Sequence, residues 1–162
     1  MTSPTSPTSP QPSPTKQPES ADDKALADAI AAEHATIYGY GFVSAHSMPD
    51  LNDLVAESLT EHRARRDSAI QTLASRSVAA PVAAVGYQLP TPVKNWKDAA
   101  ALAVRMETDD AMAWRAVLEQ ARSSTDRAFA VTALTQCAVR AARWRQVVTA
   151  WPLTVPFPGG SE

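Results

Sequence analysis

Residues 77–94 read SVAAPVAAVGYQLPTPVK, and their reading decides the fold. Pro81, Gly86, Pro90 and Pro92 exclude helix, and the segment is long for a connection within one domain. Its valines, Tyr87 and Leu89 predict that it packs down along its neighbours. On both sides the apolar spacing is helical. Upstream, Leu26, Ile30, Ile37 and Gly41 predict helix 1 over residues 21–46. The turn Ser47-Met-Pro-Asp50, with Ser47 as its capping serine, leads into helix 2 over residues 50–76, along Leu51, Leu54, Val55, Leu59, Ala69, Ile70 and Leu73. Downstream, Asn95 caps helix 3, with Asp98 completing a capping-box-like pair; its stripe is Trp96, Ala99, Ala103, Met106, Ala113, Trp114, Val117 and Ala121. After the turn at Ser123 to Asp126, helix 4 covers residues 125–148 through Phe129, Ala133, Val139 and Val147.

Short turn, long crossover, short turn means two antiparallel helical hairpins joined once. The expected fold class is therefore all-α: a four-helix bundle of ferritin-like type with a long helix 2–helix 3 crossover.

The flanks differ in kind. Residues 1–20 carry three Thr-Ser-Pro units and six of the chain's thirteen prolines, so a disordered Pro/Ser/Thr-rich tail is expected there. The bundle then spans residues 21–162 and ends in the irregular apolar segment WPLTVPFPGG, whose Trp151, Leu153, Val155 and Phe157 are expected to cover an open flank. A net charge of −2 and a pI near 5.9 give no electrostatic pull towards nucleic acid or anionic lipid. The single cysteine, Cys137, excludes an intrachain disulfide and reads as packing. With no bilayer-length apolar run and no secretory signal, a cytoplasmic protein without membrane or nucleic-acid partners is expected.

Several charged residues share the apolar stripes. Glu33 falls between Ile30 and Ile37, and Tyr40 follows on the same face. His62 and Arg66 fall between Leu59 and Ala69; Glu107 and Asp110 fall between Met106 and Trp114. Gln136, with Arg140 or Arg143, is the inward polar set of helix 4. Carboxylates so placed need compensation, because burying an unpaired charge is prohibitive. Either Arg66, Arg140 and His62 neutralise the acids, or a metal gathers Glu33, His62, Glu107 and Asp110.

Dimetal ferritin-like sites use a Glu from each of two helices and Glu-x-x-His from the other two. That spacing is absent. Thr36 follows Glu33 by three positions, Ala64 follows Glu61, and Asp110 follows Glu107; Glu33-His34 and Glu61-His62 are adjacent pairs on different faces. A buried ion-pair network without cofactor is the primary expectation, with iron or manganese as the alternative. Tyr38-Gly-Tyr-Gly-Phe42 reads as a close-packing face, His34 and His46 as exposed, and the basic run at residues 61–67 as a solvated helix face. The alanine-rich faces argue against a cavity for a small apolar ligand.

The segments AEHATIYGYG (32–41), EHRARRD (61–67), YQLPTPV (87–93) and WPLTVPFPGG (151–160) resemble the actinobacterial ferritin-like proteins catalogued as a domain of unknown function. The resemblance runs from Leu26 to Gly160. It implies a ferritin-like four-helix bundle, commonly a homodimer, and no established activity. The expected role is a non-catalytic, dimeric structural or interaction protein with a metal-degenerate core; the alternative is a metal-binding oxidoreductase-like or metal-storage protein.

Overall fold

The computed structural model describes residues 16–160. Four helices follow one another: α1 (Ala21–His46), α2 (Asn52–Ser75), α3 (Trp96–Gln120) and α4 (Ser124–Val147), with one 3-10 turn (Pro49–Leu51) before α2. The chain is an all-α four-helix bundle. The extended arm expected over residues 1–20 lies, up to residue 15, outside the described residues. Lys16 runs beside the start of the crossover: its carbonyl accepts from Ala79 N at 2.8 Å.

Local chemistry sets the helix ends. The Ser20, Asn95 and Ser123 side chains accept from orphan N–H groups at the starts of α1, α3 and α4. Asp98 closes the α3 cap by accepting from Asn95 Nδ2 at 2.9 Å. Ser47 acts differently from expectation. It ends α1, its hydroxyl donating to Val43 O at 2.7 Å, and α2 starts without a side-chain cap. Arg76, just past α2, donates to Asp23 at 2.8 Å and Asp126 at 2.7 Å, tying together the starts of α1 and α4.

The buried apolar side chains form two clusters. One holds Leu26, Ile30, Leu73, Trp114, Ala133 and Cys137; the other holds Tyr40, Val43, Val55, Met106 and Trp144. Along every helix the charged stripe residues fall between the two. At about 25 cal/mol per Å² of apolar surface, each large side chain in these clusters contributes roughly 1.5–3 kcal/mol. Gly39 lets α1 and α3 approach, since a Cβ there would overlap Met106 Sδ. Gly41 faces open space and makes no such contact.

Three packing expectations need correction. Val82 and Val85 in the crossover are exposed, and only Val78 is buried; Tyr87, Leu89 and Val93 are half-buried. In the terminal segment Leu153 and Val155 turn inward, whereas Trp151 and Phe157 are 83% and 69% exposed. That segment closes onto α3 at Gly159, whose φ of +74° and approach to the Ala111 carbonyl admit no side chain. On α4, Val139 faces out, and Ala130, Ala133, Cys137, Arg140, Ala141 and Trp144 face in. Trp144 explains that phase, because its N–H finds a buried partner, Tyr40 Oη, at 2.9 Å.

Candidate functional site: a buried charge layer

Glu33, His62, Arg65, Glu107 and Asp110 meet between the two apolar clusters, and each is at most 5% exposed. Glu33 from α1 is the hub. Its Oε1 accepts from Arg65 Nε at 2.6 Å and from Trp114 Nε1 at 2.7 Å; its Oε2 lies 2.7 Å from His62 Nδ1. The other ring nitrogen, His62 Nε2, lies 3.1 Å from Glu107 Oε1. That oxygen also accepts from Tyr40 Oη at 2.5 Å, and Trp144 donates to Tyr40 in turn. Trp114, Tyr40, His62 and Arg65 therefore hold two carboxylates, with Trp144 bracing the tyrosine.

His62 Nδ1 has a second neighbour, Arg65 Nη2 at 2.8 Å. Both nitrogens cannot donate to each other. A lone pair on Nδ1 would face an anionic oxygen of Glu33 at 2.7 Å, and one on Nε2 would face Glu107 Oε1 at 3.1 Å, so both nitrogens carry protons and His62 is an imidazolium. Burial alone would lower the His62 pKa, but the hydrogen bonds and charges of Glu107 and Glu33 outweigh it and hold the ring up to about 10. Burial would likewise raise Glu33, yet His62 and Arg65 keep its carboxyl below the usual range. Arg65 is pushed further up: burial opposes its charge and the surrounding negative groups override that.

Asp110 is the exception. Its Oδ2 is 3.4 Å from His62 Nδ1, a nitrogen already committed to Glu33, and it has no hydrogen-bond partner among the described residues. Burial first, and the Glu33 charge second, push the Asp110 carboxyl well above the ordinary range. Two acids are matched by Arg65 and His62, and the third is carried neutral. Glu107 Oε2 is the other orphaned oxygen of the layer.

The expected site residues are distributed unevenly. Glu33, His62, Glu107 and Asp110 come together. Arg66 does not join them: it is half-buried and pairs with its neighbour Asp67 at 2.8 Å. Arg65 stands in its place. The stripes Val55, Leu59, His62, Arg66 and Val55, Ser58, His62, Arg65 both fit a helix, and the apolar Leu59 favours the wrong one. Ser58 is buried because its hydroxyl is satisfied by Leu54 O at 2.7 Å. Gln136 is exposed on α4 and only its Oε1 reaches the layer, accepting from Arg65 Nη1 at 3.0 Å. Arg140 is buried but turns to the α2–α4 seam, pairing with Glu61 at 2.7 Å and Glu57 at 3.1 Å rather than with the inner acids. Exposed Arg143 joins it on Glu57. His34 and His46 are half-buried, bonded to the carbonyls of Pro81 and Phe42. Trp114 and Trp144 enter the network unannounced, although an indole N–H on a buried stripe signals that a partner is needed.

One atom each of Glu33, His62 and Asp110 lies within 4.8 Å of the others, close enough in principle to share a cation. The surroundings do not fit one. An ion bound at Nδ1 would sit about 2.0–2.1 Å from it. It would then press against the Arg65 guanidinium, which stands 2.8 Å from the same atom and is itself bonded to the ligand Glu33. The layer already contains its cations.

Fold and site define an all-α four-helix bundle with a charge-paired polar layer across its middle. Within that class, the chain belongs to the family described as Domain of unknown function (DUF4439), matched over residues 25–162. It is similar to a crystal structure of a conserved hypothetical protein, rv2844, from Mycobacterium tuberculosis: 61% identity and a TM-score of 0.78, covering 78% of this chain and 96% of that one. No curated protein matches it. Among the described residues, no helix is long and apolar enough to cross a membrane.

Proposed function

We propose that the chain is a ferritin-like bundle in which fixed charges stand where a metal centre would be, and that it acts as a dimeric structural or interaction protein rather than an enzyme. The ferritin-like reading is supported by two helical hairpins joined by one long crossover, with one inward carboxylate from α1, two from α3 and a histidine from α2. The observation that carries the metal-degenerate reading is Arg65. Its guanidinium bonds Glu33 and abuts His62, filling with a permanent cation the place that an exchangeable one would need. Each residue of the layer is at most 5% exposed, and no catalytic residue is assigned.

The dimer is supported by an apolar groove of about 550 Å³ between α3, α4 and the terminal segment, lined by Leu134, Val139, Leu153 and Val155. Exposed Trp151 and Phe157 belong to the same segment. A surface with both a groove and projecting aromatics can pair with its own copy, as a two-fold contact requires. Elemental analysis of protein purified without chelator tests the core. The expected result is no stoichiometric metal; stoichiometric iron or manganese, lost on Glu107→Ala, would replace this proposal with metal binding or storage. Sedimentation tests the dimer: a two-chain species is expected that Val139→Glu dissociates, and a monomeric wild type at high concentration rules it out.

A further inference from the structure

A cavity of about 290 Å³ lies between α1, α3 and the crossover, on ground where the alanine-rich sequence predicted none. The small residues make the space: Ala35 and Gly39 form one wall, Leu102 and Met106 the other, and Leu89 lies over it. Its polar wall is formed by Thr36 and Asp110, both buried. Asp109 and Arg105, both exposed, stand at the mouth.

The cavity therefore reaches the one acid that the charge layer leaves unpaired. Three buried acids, Glu33, Glu107 and Asp110, face two committed cations, Arg65 and His62, so Asp110, carried neutral, can ionise only beside a third cation. Its Oδ2 lacks any hydrogen-bond partner among the described residues. An anion would bring further negative charge to a layer with no cation left to pair it. A neutral hydrocarbon would leave the acid unpaired, which is costly at such burial. A hydrated metal ion would need several oxygen ligands, and the buried part of the wall offers one acid and one hydroxyl, Gln88 and Asp109 lying exposed. A primary ammonium needs only a few acceptors, and its alkyl chain suits Ala35, Leu89, Leu102 and Met106.

We infer that the cavity beneath the crossover is a binding site for a small organic ammonium ion, its nitrogen on Asp110 and Thr36 and its short carbon chain along the apolar walls. The inference rests on the metal-free layer proposed above. Asp109 at the mouth pairs with Arg105 at 3.7 Å, so the approach carries no net charge.

The test is calorimetric titration of the full chain with hexylammonium chloride, against 1-hexanol and hexanoate, with metal analysis of the same sample. Hexylammonium is expected to bind saturably, about tenfold or more tighter than either control. Asp110→Asn should weaken it by a similar factor, and Ala35→Leu, which fills the cavity without touching the acid, should abolish it; circular dichroism verifies both folds. Amide shifts in the NMR spectrum should move at Ala35, Leu89 and Leu102. Hexanol binding as tightly as hexylammonium, an unchanged Asp110→Asn, or no saturable binding by metal-free wild type would each overturn the site. Stoichiometric metal alongside retained ammonium binding would instead refute the metal-free core alone.

Discussion

Replacing Glu33 by Gln alters a side chain's charge while keeping its shape. The Gln oxygen can still accept from Arg65 Nε and Trp114 Nε1, as Oε1 does now. The amide N–H₂ then faces His62 Nδ1 across the 2.7 Å that Oε2 spanned, so two donors oppose each other. Arg65 loses its direct anionic partner, and His62 keeps only Glu107 on its far side. Breaking a buried charge pair by removing one partner costs roughly 3–5 kcal/mol. Against a domain stability of about 5–15 kcal/mol, that is a large fraction. For a chain of this size it corresponds to a fall in Tm of roughly 10–15 °C. Urea and thermal unfolding followed by circular dichroism, wild type against Glu33→Gln at neutral pH, measure it. A loss below about 1 kcal/mol would refute the reasoning, since Glu33 would then not be the hub of a desolvated charge layer.

The same layer predicts an alkaline limb. His62 binds its proton more tightly folded than unfolded, so its contribution is complete below about pH 6.5 and drains away as pH rises towards 10. The amount at stake is at most about 5 kcal/mol; unfolding free energies that stay flat over that range would contradict it. Asp110→Asn should leave stability unchanged or raised near pH 7, because the amide resembles the neutral acid that burial and Glu33 enforce; a loss of several kcal/mol (roughly 3 or more) would mean the acid is ionised and paired. Arg65→Ala should cost about 3–5 kcal/mol and Arg66→Ala less than about 0.5, and equal losses in urea titrations would return Arg66 to the interior. Gly41→Ala should stabilise by about 0.5–1 kcal/mol by helix propensity, whereas Gly39→Ala should destabilise by about 1–3 through its overlap with Met106. The opposite order in thermal melts would count against the α1–α3 contact.

The elements of this fold were legible because their signals are local. Helical spacing, caps at Asn95 and Ser123 and the prolines of the crossover each act within a few residues. The inward acids and His62 were legible too, since a charged residue amid an apolar stripe has few places to go. Helix phase was not. Arg65 and Arg66 lie a single residue, about 100° of turn, apart, and only Glu33 on another helix decides between them. The same blindness placed Val139 inside and missed Trp144 inside, a choice made by Tyr40 across the bundle. Arg140 satisfied the inward pattern but found Glu57 and Glu61 at the α2–α4 seam first, a competition that no single-helix pattern expresses. The cavity under the crossover was invisible for a related reason. Small residues on one helix leave space or close it according to what faces them.

Long-range nitrogen–proton NMR of the His62 ring reads the charge layer most directly. With the acids balanced by Arg65 and a doubly protonated His62, both ring nitrogens should remain protonated through neutral pH and release a proton only near 10. A ring with one bare nitrogen at pH 7, or with Nδ1 bound to a metal, would show that this bundle balances its buried acids in another way.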